Sequence, residues 1–218
     1  MKKKISFIIA VCVAVCIMAA LGYLYGKSVD KGDLPIYESA AIYPAFSMPA
    51  LAEKASTIVS ATVVSIGETY LEEIPVSLSG NPTESSEVLY NPITPVTLEI
   101  ETSVKGNDTV STLIYYEEGG ITPSYIQLPD GYTMEVGMEV ILFLNERGHG
   151  WGAQSIFPVV GDDVILNRMA LDYVDDSDVS VLNTSQIDGK VRSQISNSTV
   201  SVMGKEDFLT IVEEMVNN

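Results

Sequence analysis

The feature that most constrains this 218-residue chain is an uninterrupted apolar run at its N-terminus. Residues 5–26, ISFIIAVCVAVCIMAALGYLYG, carry no charge, and three lysines precede them. A helix needs about 20 apolar residues to cross a bilayer, because each residue adds only about 1.5 Å. Lysines before such a run and tyrosines at its end are typical of a cytoplasmic N-terminus and an outer interface. The pattern predicts a transmembrane signal anchor at 5–26, after a cytoplasmic tail at 1–4.

Two other interpretations of the N-terminus stay open. Small residues around Gly22 also fit cleavage by signal peptidase, which would release the rest of the chain as a secreted protein. Lipidation at Cys12 or Cys16 fits less well, because valine precedes each cysteine where a lipobox has a small residue. With the anchor retained, the C-terminal part is expected on the extracytoplasmic side of a bacterial cell membrane.

The exported part is strongly acidic. Beyond residue 26, nine Lys and Arg residues stand against 29 Asp and Glu residues, which gives a formal charge of −20. Nucleic acids and anionic lipid surfaces are normally held by Lys and Arg clusters, so this charge argues against both as partners. Both cysteines lie inside the apolar run, so the exported part has neither disulfides nor thiol chemistry. Its stability must come from a hydrophobic core.

After a tether at 27–46, the pattern predicts one mainly β domain over 47–218. Ser47 can cap a short helix, and an amphipathic helix is predicted at 205–216, where apolar residues recur at helical spacing. The run EVILFLN at 139–145 has no polar face, so the C-terminal helix is expected to cover one side of it.

Alternating and β-branched runs indicate strands between these two helices. Two long connections, 71–95 and 119–138, interrupt them and contain several prolines or glycines. Loops of such length in a compact domain are usually functional or disordered. Strands are predicted near 57–70, 96–104, 109–118, 139–145, 153–160 and 163–167, and a tight turn is predicted at 186–191.

Several segments resemble the netrin and tissue-inhibitor branch of the oligonucleotide/oligosaccharide-binding (OB) barrels. They are AEKASTIVSATVVSI, VTLEIETSVKG, EVGMEVILFLN and WGAQSIFPVV, followed by the closing helix. The resemblance covers about residues 48–167 and 205–216. It implies a small OB-like closed barrel of about five strands that serves as a binding module. The inhibitor members place an N-terminal cysteine on a protease metal, and this mechanism is not carried over because no cysteine follows Cys16.

Candidate binding residues are the aromatic and acidic groups expected near the barrel mouth. Where a predicted strand enters a long loop, such groups can grip a sugar or a basic peptide. A competing interpretation packs one of two adjacent tyrosines inside and leaves the other outside, with no ligand. The stretch NERGHGWG at 145–152 is interpreted as a turn, because its glycines suit positive φ. The candidate set is Tyr90, Tyr115, Tyr116, Glu117 and Trp151.

No metal, cofactor or catalytic set is predicted. His149 is the only histidine, so nitrogen and sulfur ligands for zinc are missing from the exported part. Aspartates can supply oxygen ligands to Ca²⁺, but the spacing of those at 172, 175, 176 and 178 does not match an EF-hand loop. No nucleophile-elbow pattern occurs either.

The sequence therefore predicts a non-catalytic, membrane-anchored extracytoplasmic binding or interaction module. Its partner is expected to be a protein or a cell-wall glycan of unknown identity. A calcium-dependent adhesive or enzyme-accessory module is the first alternative, and a carboxylate-based hydrolase is the second. The pattern assigns no role to residues 168–203.

Overall fold

The computed structural model describes residues 34–39, 43–76, 87–106, 109–187 and 189–217. The predicted cytoplasmic tail and transmembrane helix, and part of the predicted tether, lie outside these residues. No helix in the described ranges is long and apolar enough to span a bilayer. Residues 34–35 and 123–125 belong to a separate unit, and every element below lies in the other, Ile36–Thr122 with Ile126–Asn218.

The described chain is mainly β, as predicted. Its helices are α1 (Met48–Lys54), α2 (Arg168–Leu171), α3 (Gly189–Arg192) and α4 (Lys205–Asn217), with 3-10 turns at Asp176–Asp178 and Thr184–Gln186. Its strands are β1 (Ile36–Glu38), β2 (Thr57–Ile66), β3 (Tyr70–Val76), β4 (Glu87–Lys105), β5 (Thr112–Glu118), β6 (Gly120–Ile121), β7 (Ile126–Leu128), β8 (Glu139–Leu144), β9 (Ile156–Val160), β10 (Asp163–Ile165), β11 (Ser180–Asn183) and β12 (Thr199–Gly204).

Nine strands form one sheet in the order β11-β12-β10-β9-β8-β2-β4-β3, with β5 also paired to β4. A second sheet has three short strands in the order β1-β7-β6, and β1 runs parallel to β7. The prediction of a closed barrel of about five strands is wrong, because neither sheet of the described residues closes on itself.

The reason lies at the edge of β9. Strands β5, β4, β2, β8 and β9 do lie side by side, but no ladder in the described ranges joins β5 to β9. Instead β9 turns at Gly161, with φ of +66°, and pairs with β10 through Val159 and Val160. To close these five strands into a barrel, β5 and β9 would have to pair with each other through their outer edges. The outer edge of β9 is paired with β10 instead. The sheet therefore continues outward through β12 to β11.

Both faces of β8 are covered, as its apolar sequence requires. Ile141 and Phe143 face a cluster that includes residues of α1 and α4, whereas Val140 and Leu142 belong to a second cluster on the other face. In the first cluster, the ring of Phe157 lies 5.6 Å from that of Phe143 and 5.0 Å from that of Phe208. The prediction that the C-terminal helix covers β8 is confirmed.

The second cluster is closed by the segment between β11 and β12. Ile187 and Val191 are buried there against residues of β8. The predicted tight turn at 186–191 is wrong, because this segment consists of a 3-10 turn followed by α3. Part of the region to which the sequence assigned no role thus covers the core.

The predicted connection at 71–95 is also wrong over much of its length. Strand β4 has 19 residues and pairs with β3 through its first half and with β2 through its second half. Pro75 and Pro92 suggested a loop, but proline is compatible with strands at a sheet edge, where a ladder N–H is not required. We call residues 70–76 together with 87–93 the ribbon.

Candidate functional site

The structure separates the sequence-predicted site residues instead of assembling them. Side chains alternate along β5, so Tyr115 and Glu117 point inward, whereas Tyr116 lies on the opposite face. Tyr90 lies on the ribbon, five residues along β4 from Pro95, which pairs with Tyr116. Five residues of extended strand span about 17 Å. One barrel-mouth site containing all of these side chains is therefore not formed.

Glu117 is an enclosed acid that belongs to the core. Its side chain is 3% exposed, and its Oε2 accepts a hydrogen bond of 2.7 Å from the backbone N–H of Met134. Burial raises the pKa of Glu117 to about 7, although the hydrogen bond from Met134 opposes this rise. Tyr115 beside it is also buried, and burial followed by the charge of Glu117 raises its pKa. Both residues are too enclosed to contact a ligand.

A second acidic group lies at the end of β5 and includes a residue that the sequence reasoning missed. The Tyr43 hydroxyl donates a 2.5 Å hydrogen bond to Glu118 Oε2. Burial, and then this carboxylate, raise the pKa of Tyr43. The space beside Tyr43, Tyr115, Glu118 and Asp130 is only about 10 Å³, which is no more than one water needs. The group therefore stabilises the fold and offers no pocket to an organic ligand.

The stretch NERGHGWG forms a turn, as predicted. Asn145 Oδ1 accepts hydrogen bonds from the backbone N–H groups of Arg147 and His149. Gly148 has φ of +79°, and a Cβ there would lie 2.7 Å from the carbonyl oxygen of Ile114. Glycine is therefore required by both its backbone conformation and the close approach of β5.

The two aromatic residues of this turn pack against other side chains. The His149 ring stacks on Tyr116 with 5.3 Å between centroids, and Trp151 meets Phe46 edge-on at 5.9 Å. Trp151 is half-buried, and its backbone N–H donates to Ser155 Oγ at 2.7 Å. Trp151 thus lies at the rim of the core. Tyr116 and His149 form a small aromatic surface next to an open depression of about 380 Å³.

The ribbon presents the longest series of exposed apolar side chains in the described chain. Leu89 is 55% exposed and Tyr90 is 56% exposed, although both are β-strand residues. The register opposes Ile74 to Leu89 and Glu73 to Tyr90, so apolar side chains lie on both faces. Within the described ranges, strand β3 pairs only with β4, and no described strand occupies its outer edge. The exposed apolar residues are Tyr70, Leu71, Ile74, Val88, Leu89 and Tyr90.

The sequence that contains the ribbon carries charge of one sign. Residues 55–104 contain seven glutamates and no lysine, arginine or histidine. Glu72 and Glu73 lie on β3 itself, and neither forms an ion pair in the described ranges. The excess of glutamate over basic residues is visible in the sequence. The structure adds that two of these glutamates lie on a strand with exposed side chains.

The acidic stretch at 172–178 builds a local turn. Asp175 Oδ1 accepts a 2.9 Å hydrogen bond from the backbone N–H of Ser177, and this bond lowers the pKa of Asp175. Among the described residues, no group of three or more His, Cys, Asp or Glu side chains is arranged to hold a metal ion.

No family model, curated protein or solved structure matches this chain. The resemblance to the netrin and tissue-inhibitor branch therefore stays a prediction, and the closed barrel that it implies is wrong. Function has to be inferred from the surfaces described above.

Proposed function

We propose that this protein is a non-catalytic, extracytoplasmic interaction module that binds a basic, extended polypeptide segment along the ribbon. The observation that carries the proposal is an exposed apolar edge strand inside a 50-residue stretch without a single basic residue. The extracytoplasmic location rests on the N-terminal lysines and apolar run alone, which suit export with either a retained anchor or a cleaved signal.

An open strand edge is a binding surface for another strand. Its unpaired N–H and C=O groups can form a ladder with an extended peptide, while side-chain contacts supply specificity. Natural proteins usually protect such edges with lysines or a covering element. Strand β3 has no lysine, and β4 is its sole partner among the strands of the described residues. Contiguous exposed apolar side chains of this kind mark interaction sites.

Charge selects the kind of peptide. Glu72 and Glu73 would attract lysine or arginine side chains that alternate with apolar residues in the added strand. A second copy of the chain is a poor occupant, because it would bring the same carboxylates to the same edge. The proposal is therefore a basic partner, and cell-wall glycans, which could stack on Tyr90 or Tyr116, are the competing outcome.

The test is binding of the full-length protein to synthetic peptides and to cell-wall glycan fragments. Eight-residue peptides would alternate valine with lysine, serine or glutamate. We expect the lysine series to bind about tenfold or more tightly than the glutamate series, and to weaken as salt is added. Equal binding of the lysine and glutamate series, or binding of glycans alone, would reject the proposal.

Matched variants locate the binding surface. Glu72→Lys with Glu73→Lys should weaken the lysine peptides about tenfold or more, whereas Asp176→Lys with Glu213→Lys makes the same charge change elsewhere and should have little effect. Tyr90→Ala tests the apolar contribution, and Val181→Ala is its control, because Val181 is 72% exposed on β11. Loss of binding in the control variants alone would place the site away from the ribbon.

A further inference from the structure

A cleft on a different part of the sheet from the ribbon suggests a second binding site. It lies between the β8–β9–β10 part of the sheet and the segment 182–191, and its volume is about 700 Å³. Pockets that enclose small organic ligands have volumes of roughly 300–1,000 Å³. None of the ribbon residues lines it.

The floor of the cleft is apolar. Met138, Ile187 and Val191 line it, and each of these side chains is nearly fully buried by the surrounding protein. A ligand that reaches this floor would cover apolar atoms that few solvent molecules contact. The floor therefore suits the hydrocarbon body of a ligand and not a densely charged one.

The rim of the cleft is acidic. Glu139, Asp162 and Asp163 line it, and Lys190 is the only cationic residue among its described lining residues. Two of these charges are already engaged, because Glu139 accepts a hydrogen bond from Lys205 and Lys190 donates one to the carbonyl of Val136. In the described ranges, no ion pair or side-chain hydrogen bond engages the carboxylates of Asp162 and Asp163.

The mouth of the cleft is formed partly by residues without side chains. Apart from its two neighbours in the chain, a Cβ added at Gly161 or at Gly189 would meet no atom within 4 Å. The backbone at these two points therefore leaves open space along the lining of the cleft. A ligand of moderate size can approach the carboxylates without displacing a side chain at either position.

We infer that this cleft binds an amphipathic organic cation. The ammonium group of the ligand is held by Asp162 and Asp163 at the rim, and its apolar body lies over Met138, Ile187 and Val191. The site does not depend on the proposed peptide-binding ribbon.

The probes are three molecules that share a phenyl group on a short alkyl chain and differ in charge. They are the cation 4-phenylbutylamine, the neutral 4-phenylbutanol and the anion 4-phenylbutyrate. Binding to the full-length protein would be measured by calorimetry and by NMR shifts of the Ile187 and Val191 methyl groups. We expect the amine to bind about tenfold more tightly than the alcohol, and the acid to bind most weakly. If none of the three binds at millimolar concentration, or if the acid binds as tightly as the amine, the inference is wrong.

Two pairs of variants separate the roles of rim and floor. Asp162→Asn with Asp163→Asn should remove the preference for the amine and leave the alcohol unchanged, whereas Asp176→Asn with Asp178→Asn should leave the preference intact. Leu182→Trp adds bulk at a lining position and should weaken both amine and alcohol about tenfold, whereas Val181→Trp adds the same bulk to the solvent-facing side of β11.

Gln186 is exposed and also lines the cleft, so Gln186→Trp repeats the blocking test if Leu182→Trp does not fold. Equal effects of Leu182→Trp and Val181→Trp would show that the probes bind outside the cleft. If the protein with Asp162→Asn and Asp163→Asn still binds the amine more tightly than the alcohol, then these two carboxylates do not hold the ammonium group.

Discussion

The two halves of β4 belong to one strand but occupy opposite environments. In the first half Leu89 is 55% exposed, whereas in the second half Leu98 is 0% exposed. Strands β2 and β5 flank the second half and the second apolar cluster covers Leu98, whereas the first half pairs with β3. The same residue type in the same backbone conformation is therefore a core residue in one half and a surface residue in the other.

This difference teaches that β-strand sequence alone does not report burial. A strand half with apolar residues on both faces normally requires cover on both faces. Residues 88–90, near the start of β4, lack such cover within the described chain, which makes this part of the strand a candidate for contact with another molecule. The second half needs no partner, because the fold itself provides its cover.

The largest expected effect comes from making one substitution in both halves. Leu98→Ala should lower the free energy of unfolding by about 2–5 kcal/mol, because it leaves a cavity in the core. Leu89→Ala should change it by less than about 0.5 kcal/mol, because this side chain already contacts solvent. Chemical denaturation of both variants measures the difference. A cost for Leu89→Ala near that of Leu98→Ala would mean that the ribbon is covered in solution, and dependence on protein concentration would identify a second copy as the cover.

The next largest effect is a pH dependence of the free energy of unfolding. It is expected from the buried Glu117 on β5 and not from the exposed Glu73 on the ribbon. Burial raises the pKa of folded Glu117 from 4.5 to about 7, so the folded protein keeps a proton that the unfolded chain loses in this range. The free energy of unfolding should therefore fall by roughly 3 kcal/mol as pH rises from about 4.5 to about 7. Glu117→Gln keeps an acceptor for the N–H of Met134 and removes the charge, so this decline should disappear.

Urea denaturation at pH 5 and pH 8 measures this prediction, with Glu73→Gln as the control. The control should retain the decline of the wild-type protein, because Glu73 is exposed on β3. If Glu117→Gln shows the same pH dependence as the wild type, then Glu117 is not the group that titrates.

The smallest expected effect comes from neutralising one glutamate in each region. Glu101 has an ion-pair partner, and its counterpart Glu73 on the ribbon has none in the described ranges. Glu101, on the covered half of β4, forms a 2.9 Å ion pair with Lys205 of α4. Burial opposes its ionisation, but hydrogen bonds from Thr62 and Lys205 lower its pKa overall. Glu101→Gln should cost at most about 1 kcal/mol at low salt and less at high salt, because both side chains are partly exposed.

Glu73→Gln is again the counterpart, and it should be neutral or slightly stabilising because it removes a charge next to Glu72. Denaturation at two salt concentrations distinguishes the two variants. An equal and salt-independent cost for both would show that Lys205 adds nothing through its charge.

Several elements could be predicted from the sequence because they depend on near neighbours. The cap at Ser47, the turn around Gly148 and the amphipathic stripe of α4, including Phe208 and Val212, follow from local spacing and backbone preference. The need for cover on both faces of β8 also follows from its residues alone, and α4 provides one of those covers. Of the candidate binding residues, the sequence identified Tyr90 without indicating that its strand is exposed.

The sequence by itself thus determined the mainly β character, the acidic charge and the start and end of its strongest elements. Only the tertiary structure decided that β9 pairs with β10 and not with β5, that residues 70–76 and 87–93 form a ribbon, and that Tyr115 and Tyr116 lie on opposite faces. The physical reason is that periodicity reports which side chains share a face, whereas strand pairing and burial depend on residues distant in the chain.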